Sequence, residues 1–432
     1  MKLITSFTLA GLLLLSAPLS AKPPIKGFVS RGDLDSTVDG WTSNRNGFDD
    51  PFTLIDDQGT PGDTSDDLLL GHLVDAIMVQ AEWRTLEPTE GNLATNNVVD
   101  QAIRKVSDWN TAHPNNPLSI KLRVFAGMYS PKWLALNNNG NPIMCSTAHL
   151  TNENLCFVNI STKNGKNGYI PSYWKSAYAT KWQNFHSLMA GRYDSRGLIR
   201  EVSLGGCAVA NDESFWRHKG DDTPNGNDGV HVIRHLMNKG LTLEKDKNCL
   251  KNTQFSAMSA WSKTNIGVAY NVWFDYEANG NDLIWTQNLS FTRTAMQKCV
   301  DKFGSRCNIA NNSYGNRDIG DEDDSNKISF WLKLAGTEAT WHNLASKFSF
   351  IRDAQNTYIQ TEVWAAKKDE NNQFIGGEAN EIHTAILVAH DKMKIHSAEI
   401  PKLRDLKRYD TYLNDIYLSS TRVQNVRAAL KE

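Results

Sequence analysis

The stretch TYIQTEVWA, Thr357 to Ala365, sets one glutamate in a run that otherwise reads as a buried strand. Glu362 is flanked by Ile359, Val363 and Trp364, with no basic residue before Lys367. A carboxylate among apolar neighbours is costly unless it has a partner or a task. Other acids and aromatics gather where short apolar runs end. Glu82-Trp83-Arg84 is one such place, and Asn211-Asp212-Glu213, followed by Phe215 and Trp216, is another. Trp273 to Glu277 is a third, Asn311, Asn312 and Tyr314 a fourth, and Trp364, His396 and Glu399 complete the set. Carboxylates beside aromatics suit carbohydrate chemistry. A sugar ring offers C–H faces for stacking and hydroxyls for hydrogen bonds, and cleaving its acetal needs a proton donor plus a carboxylate to meet developing positive charge. Two acids about 5–5.5 Å apart allow covalent attack and retention, whereas about 6.5–9.5 Å admits a water and gives inversion. The competing structural uses are plain: acids cap helices or pair with arginine, and tryptophans pack in cores.

Such residues act together only if the fold converges them. Eight β-like runs recur: Ile25–Ser30, Ala76–Glu82, Ile120–Gly127, Ile199–Val209, Asn265–Trp273, Cys307–Tyr314, Tyr358–Trp364 and Lys394–Ile400. Helix-like runs lie between them, at Asn97–Thr111, Tyr173–Tyr193, Phe291–Phe303 and Glu378–Met393, with apolar residues at helical spacing. Strands alternating with helices imply parallel pairing through crossovers. Eight of them predict an α/β fold, a (β/α)8 TIM barrel with long βα loops. An open doubly wound sheet is the rival, and it lacks a glycine-rich phosphate loop after an early strand. The long connections, 31–75, 130–168, 211–240 and 314–325, would crowd one rim, where barrel sites are built. No internal repeat or linker marks a second domain, so residues 22–432 are expected to form a single barrel.

The chain of 432 residues carries a formal net charge of −2 and is 40% hydrophobic. That balance gives no reason to expect nucleic acid or an anionic membrane as a partner. Residues 1–21 read as a secretory signal peptide: Lys2, the short apolar run Leu9–Leu15, and the small pair Ser20-Ala21. A secreted or periplasmic protein without membrane insertion after cleavage is therefore expected. An uncleaved anchor is the alternative. Six cysteines in an exported chain favour disulfides. Nearest neighbours suggest Cys145–Cys156 and Cys299–Cys307, leaving Cys207–Cys249. No CxxC or HxxxH spacing supports zinc. The acidic stretches 49–67 and 318–324 lack ordered calcium-loop spacing and read as solvated loops. No metal or cofactor is expected.

The segment Trp83-Arg84-Thr85-Leu86-Glu87-Pro88-Thr89-Glu90-Gly91 resembles the W-x-x-L-E-P-x-E-G signature of clan A barrel glycoside hydrolases, including the β-galactosidase-like and cellulase-like families. Tyr129 to Leu134 resembles their S-P-x-W-L stretch. The resemblance implies a retaining glycosidase whose acid/base glutamate follows strand four and whose nucleophile ends strand seven. Glu213 and Glu362 occupy those places. The clan usually shows Asn directly before the acid; here Asp212 stands between Asn211 and Glu213. Asp212 and Glu277 therefore stay open as substitutes. Asn312 or Tyr314 is expected to hydrogen-bond Glu362, with Trp83, Trp133, Trp216 and Trp364 as sugar platforms and Glu82 and His396 lining the pocket. The expected partner is an oligo- or polysaccharide. A carbohydrate-binding barrel without catalysis, or another exported barrel hydrolase such as an esterase or deacetylase, are the competing readings.

Overall fold

The structure, a computed structural model, describes residues 21–31, 38–39, 41–43, 46–56, 62–161, 167–203, 205–209, 214–215, 232–269, 273–280, 282–314, 356–361, 386, 390, 395–400 and 421–432. Eight parallel strands close on themselves. They are β1 (Gly27–Arg31), β2 (Ala76–Glu82), β3 (Ser119–Phe125), β4 (Ile199–Ser203), β5 (Asn265–Ala269), β6 (Cys307–Tyr314), β7 (Asn356–Thr361) and β8 (Ser397–Ile400). Each pairs with its sequence neighbours, and β1 joins both β2 and β8. This is the closed barrel, and the open sheet is excluded.

The outward faces of the strands are apolar because helices cover them. Four helices matter below: α1 (Val98–Ala112), α2 (Ser176–Tyr193), α3 (Leu289–Phe303) and α4 (Thr421–Ala429). α1 begins where Asn97 accepts from the amides of Val99 and Asp100 while Asp100 reaches back to the Asn97 amide, a capping box. α2 ends at Asp194, whose carboxylate accepts from the amides of Ser262, Lys263 and Thr264. One side chain thus ties the end of a helix to the entry of β5. Phe28, Ile77, Val79, Leu122 and Val124 lie with helix residues such as Val106, Trp182 and Phe185 in one continuous core. The bore contains a much smaller apolar group, Ile25, Val29, Ala76 and Met78, near the N-terminal ends of the strands.

The floor is closed by both ends of the described chain. Lys22 donates from Nζ to the Ile199 carbonyl and to Thr264 Oγ1, both at 2.7 Å. On α4, Arg427 pairs with Asp75, which also accepts from the Phe28 amide. Gly27 sits at φ +92, and a Cβ there would lie 2.1 Å from Asp75 Oδ2, so this contact requires glycine.

Several expected bounds move. The fourth run was read as a strand to Val209, but β4 stops at Ser203, because Gly205 and Gly206 carry the chain away against β3 and α2. β8 begins only at Ser397. The expected helix 378–393 falls almost wholly outside the described residues. All three expected disulfides form: Cys145–Cys156, Cys207–Cys249 and Cys299–Cys307. Among the described residues no helix is long and apolar enough to cross a membrane.

Candidate active site

In a parallel barrel the C-terminal strand ends share one rim, and side chains alternate between bore and outer shell. The bore of this barrel is charged. Lys121 of β3, 1% exposed, places Nζ 2.7 Å from Glu201 Oε1 of β4 and 2.7 Å from Glu399 Oε1 of β8. Arg123 pairs with Glu399 at 2.8 Å, and Asn308 of β6 donates to Glu201 at 2.7 Å. Burial alone would favour a neutral Glu399, but Arg123 and Lys121 outweigh it and hold its carboxyl below the usual range. β5 contributes empty space: a Cβ on Gly267 would stand 2.3 Å from Glu201 Oε1. Two cations and two carboxylates thus form a platform beneath the rim.

Above it, Glu82 ends β2, fully buried and paired with Arg84 Nε at 2.9 Å. The Arg84 guanidinium lies over the Tyr129 ring. Asn46 of the first loop accepts from the Glu82 amide, and Gly47 exchanges backbone hydrogen bonds with Gln80. That loop continues the barrel wall where β1 has ended.

The two motif segments turn out to be one pinned unit. Glu87 accepts from Trp83 Nε1 and from the Gly91 amide, both at 2.7 Å. Trp133 Nε1 donates to the Glu87 carbonyl at 2.8 Å. Burial raises the Glu87 pKa, while these two donors to its carboxylate pull the other way. Gly91 has φ +78, which explains a glycine at the end of the motif. Trp83 was expected as a sugar platform. It is instead 0% exposed, edge-on to Trp133, Tyr178 and Trp182, and leaves no face for a ligand. Trp133 is partly exposed.

The chain around Glu213 is anchored on both sides. Before it, the Val209 carbonyl accepts from the Met128 amide at 3.1 Å. Gly127, at φ +58, allows this approach, since a Cβ would be 2.3 Å from the Val209 oxygen. Cys207 is bonded to Cys249 in the helical layer outside. After it, Ser214 donates to Gln254, and Phe215 packs with Trp273 and Phe291. Asn211, Asp212, Glu213 and Trp216 themselves lie outside the described residues, as do Glu362 and Trp364. Asn312 and Tyr314 lie on the last turn of β6's backbone. A register shift between Asn311 and Tyr314 sets Tyr314 opposite Thr361, the residue before Glu362.

Two expected residues are elsewhere. Glu277 is exposed on the hairpin 274–287, opposite Ile284. His396 precedes β8, and its carbonyl accepts from the Gly27 amide at the barrel floor. It therefore stands at the end opposite the rim and does not line the pocket. The strand it was read into begins one residue later.

The sequence reading missed two groups. One is the charged bore, whose signal is the alternation Lys121-x-Arg123 inside an apolar run. The other is a cluster at the loops after β1 and β3, where Trp41 stacks on Tyr169 at 4.7 Å and meets Phe157 edge-on, with Lys132 Nζ 5.4 Å from its ring. Residues so far apart along the chain give no local signal.

No family model matches the sequence, and no curated protein matches it. Solved structures do. The chain is similar to an endo-β-mannanase/endo-β-glucanase from Prevotella bryantii, at 11% identity and TM-score 0.37, covering 94% of this chain and 49% of that one. It is similar to endo-glycoceramidase II from Rhodococcus sp., at 10% identity and TM-score 0.35, covering 76% and 65%. It is also similar to a β-mannanase from the blue mussel Mytilus edulis, at 12% identity and TM-score 0.38, covering 96% and 97%. The chain thus spans about half the length of the first and just under two thirds of the second. What this chain has by its own strand order is a closed, all-parallel (β/α)8 barrel with long loops on one rim.

Proposed function

We propose that this protein is an exported glycoside hydrolase that cleaves O-glycosidic bonds by a two-carboxylate retaining mechanism. The observation that carries the proposal is the anchoring at the rim. The residues on either side of the Glu213 segment are fixed above β4, and Thr361 ends the described part of β7 three strands further round the same ring. Gln360 is the register partner of Glu399, which faces the bore, and this supports assigning Glu362, two positions on, to the mouth. The pinned motif segment supports the reading from the sequence side.

In this mechanism Glu213 protonates the leaving oxygen while Glu362 attacks the anomeric carbon. Glu213 then deprotonates the water that releases the sugar. Tyr314, set beside Thr361, or Asn312, donates a hydrogen bond to Glu362. Trp133, Trp216 and Trp364 offer stacking faces, and the buried Glu82–Arg84 pair braces the rim at the end of β2. Asp212 is the substitute proton donor. Residues 1–21 direct export, and three disulfides suit an oxidising compartment.

The test is release of reducing ends from a panel of neutral and acidic polysaccharides, with the first-formed anomer identified by NMR. Glu362→Gln should abolish turnover with the fold unchanged by circular dichroism. Glu213→Gln should lose about 10²–10⁴-fold on ordinary substrates and far less on an aryl glycoside whose leaving group needs no proton. Full activity of Glu362→Gln ends the assignment. Substrate binding without turnover in the unaltered protein would favour the carbohydrate-binding barrel instead.

A further inference from the structure

On the outside of the barrel, far from the bore, a groove of about 740 Å³ runs between α3 and the helical turn Cys249–Thr253. Its lining includes Lys251 from one wall and Arg293, Lys298 and Lys302 from the other. Asp301 is the lone carboxylate in that lining, and Gln297 already donates to it at 2.7 Å. Four cations against one acid leave the groove at +3, whereas the whole chain stands at −2. The charge is therefore local and not a sample of a basic surface.

Three features separate this groove from an ordinary solvated helix face. First, the cations come from two elements, Lys251 from the turn and the other three from α3. Second, burial and then the neighbouring Lys298 lower the proton affinity of Lys302, so the cations are crowded with Asp301 as the one carboxylate of the lining. Third, both walls are covalently fixed. Cys249 ties one wall to the loop after β4, and Cys299, beside Lys298, ties the other to the start of β6. The Lys298 amine is further held by the Asn252 side chain across the groove. Along α3, positions 293, 298 and 302 rise by about 7.5 and 6 Å. At about 100° per residue Arg293 and Lys302 stand on opposite flanks of the face that Gln297 and Asp301 centre, so the cations spread across that face from the rim-side turn toward the floor.

We propose that this groove holds a carboxylated polysaccharide chain outside the catalytic mouth, as an ancillary binding surface. Cations spread over an open, rigid surface match a polymer that carries many carboxylates. The choice of a saccharide polymer rests on the glycosidase reading above. Bound there, the chain keeps further segments near the rim and raises their local concentration.

The test uses the full-length Glu362→Gln protein in native gels containing polygalacturonate, with parallel gels containing neutral galactomannan or duplex DNA, at low and high salt. The expected result is retardation by polygalacturonate alone, weakened by salt and reduced about tenfold in Arg293→Glu/Lys302→Glu. The same double reversal in the active protein should leave hydrolysis of a short soluble substrate unchanged. No retardation at low salt overturns the proposal, as does equal retardation of the double variant. Equal retardation by DNA overturns the saccharide assignment. If Glu362→Gln still hydrolyses substrate yet binds polygalacturonate, the catalytic reading fails and the groove stands.

Discussion

Replacing Lys121 by methionine removes the cation that joins the two carboxylates of the bore. The side chains of Lys121 and Glu201 are each 1% exposed, and that of Glu399 is 0%. No water replaces the lost charge from bulk. Glu399 keeps Arg123 at 2.8 Å, but Glu201 is left with the neutral amide of Asn308. Breaking a buried pair by removing one partner costs about 3–5 kcal/mol, against about 0–1 kcal/mol for an exposed pair. Lys121→Met is therefore expected to lower the unfolding free energy by about 3 kcal/mol or more. In Lys121→Met/Glu201→Gln the stranded charge is gone, so about 1–3 kcal/mol of that loss should return as a coupling term. Urea unfolding at neutral pH, followed by tryptophan fluorescence and circular dichroism, measures both. A single-variant loss below about 1 kcal/mol would mean that the bore is wet and the pair behaves as a surface one. A double variant no better than the sum of the singles would mean that Glu201 is not what Lys121 neutralises.

Acid should act in two stages. Burial pulls His186 down to about 3, so its folded pKa lies below its unfolded one, and stability falls as pH drops below about 6.5. Glu399 and Asp194 are also held below their usual range, so their contribution is full above about pH 4 and lost below it. His186→Gln should flatten the urea midpoint between those limits while leaving the acid-side fall. Gly127→Ala forces a Cβ to 2.3 Å from the Val209 oxygen at φ +58, which should shift the loop before Glu213 and lower kcat with little change in KM. Unchanged steady-state kinetics in that variant would show that the loop does not position the acid. Cys207→Ala/Cys249→Ala opens a loop of 42 residues and should cost about 4 kcal/mol by loop entropy, read as a lower urea midpoint.

The eight strands were legible because each is a short apolar run bounded by turn residues, as in AIMVQAE, which is β2 to the residue. The ends were less legible. Ile199 to Val209 reads as one run, and only tertiary contact shows Gly205 and Gly206 leaving the sheet to touch Val124 and Trp182. His396 was misplaced for a different reason: it stands at the entry of β8, and in a parallel barrel the entry ends of the strands form the floor. Trp83 illustrates a different limit. A motif preserves whatever a fold needs, and here the tryptophan braces Glu87, which in turn holds Gly91, and not a ligand. The charged bore escaped because Lys121, Glu201 and Glu399 lie on three strands, and pairing between them is a matter of ring closure, not of sequence distance.

The anchorage of Lys22 has a consequence for timing. Its partners lie 177 and 242 positions downstream, at Ile199 and Thr264. Residues near the start of a chain are made first, so this lysine waits, unsatisfied, until more than half of the polypeptide has followed. The floor is therefore sealed late, first when Thr264 arrives and finally when Arg427 of α4 reaches Asp75.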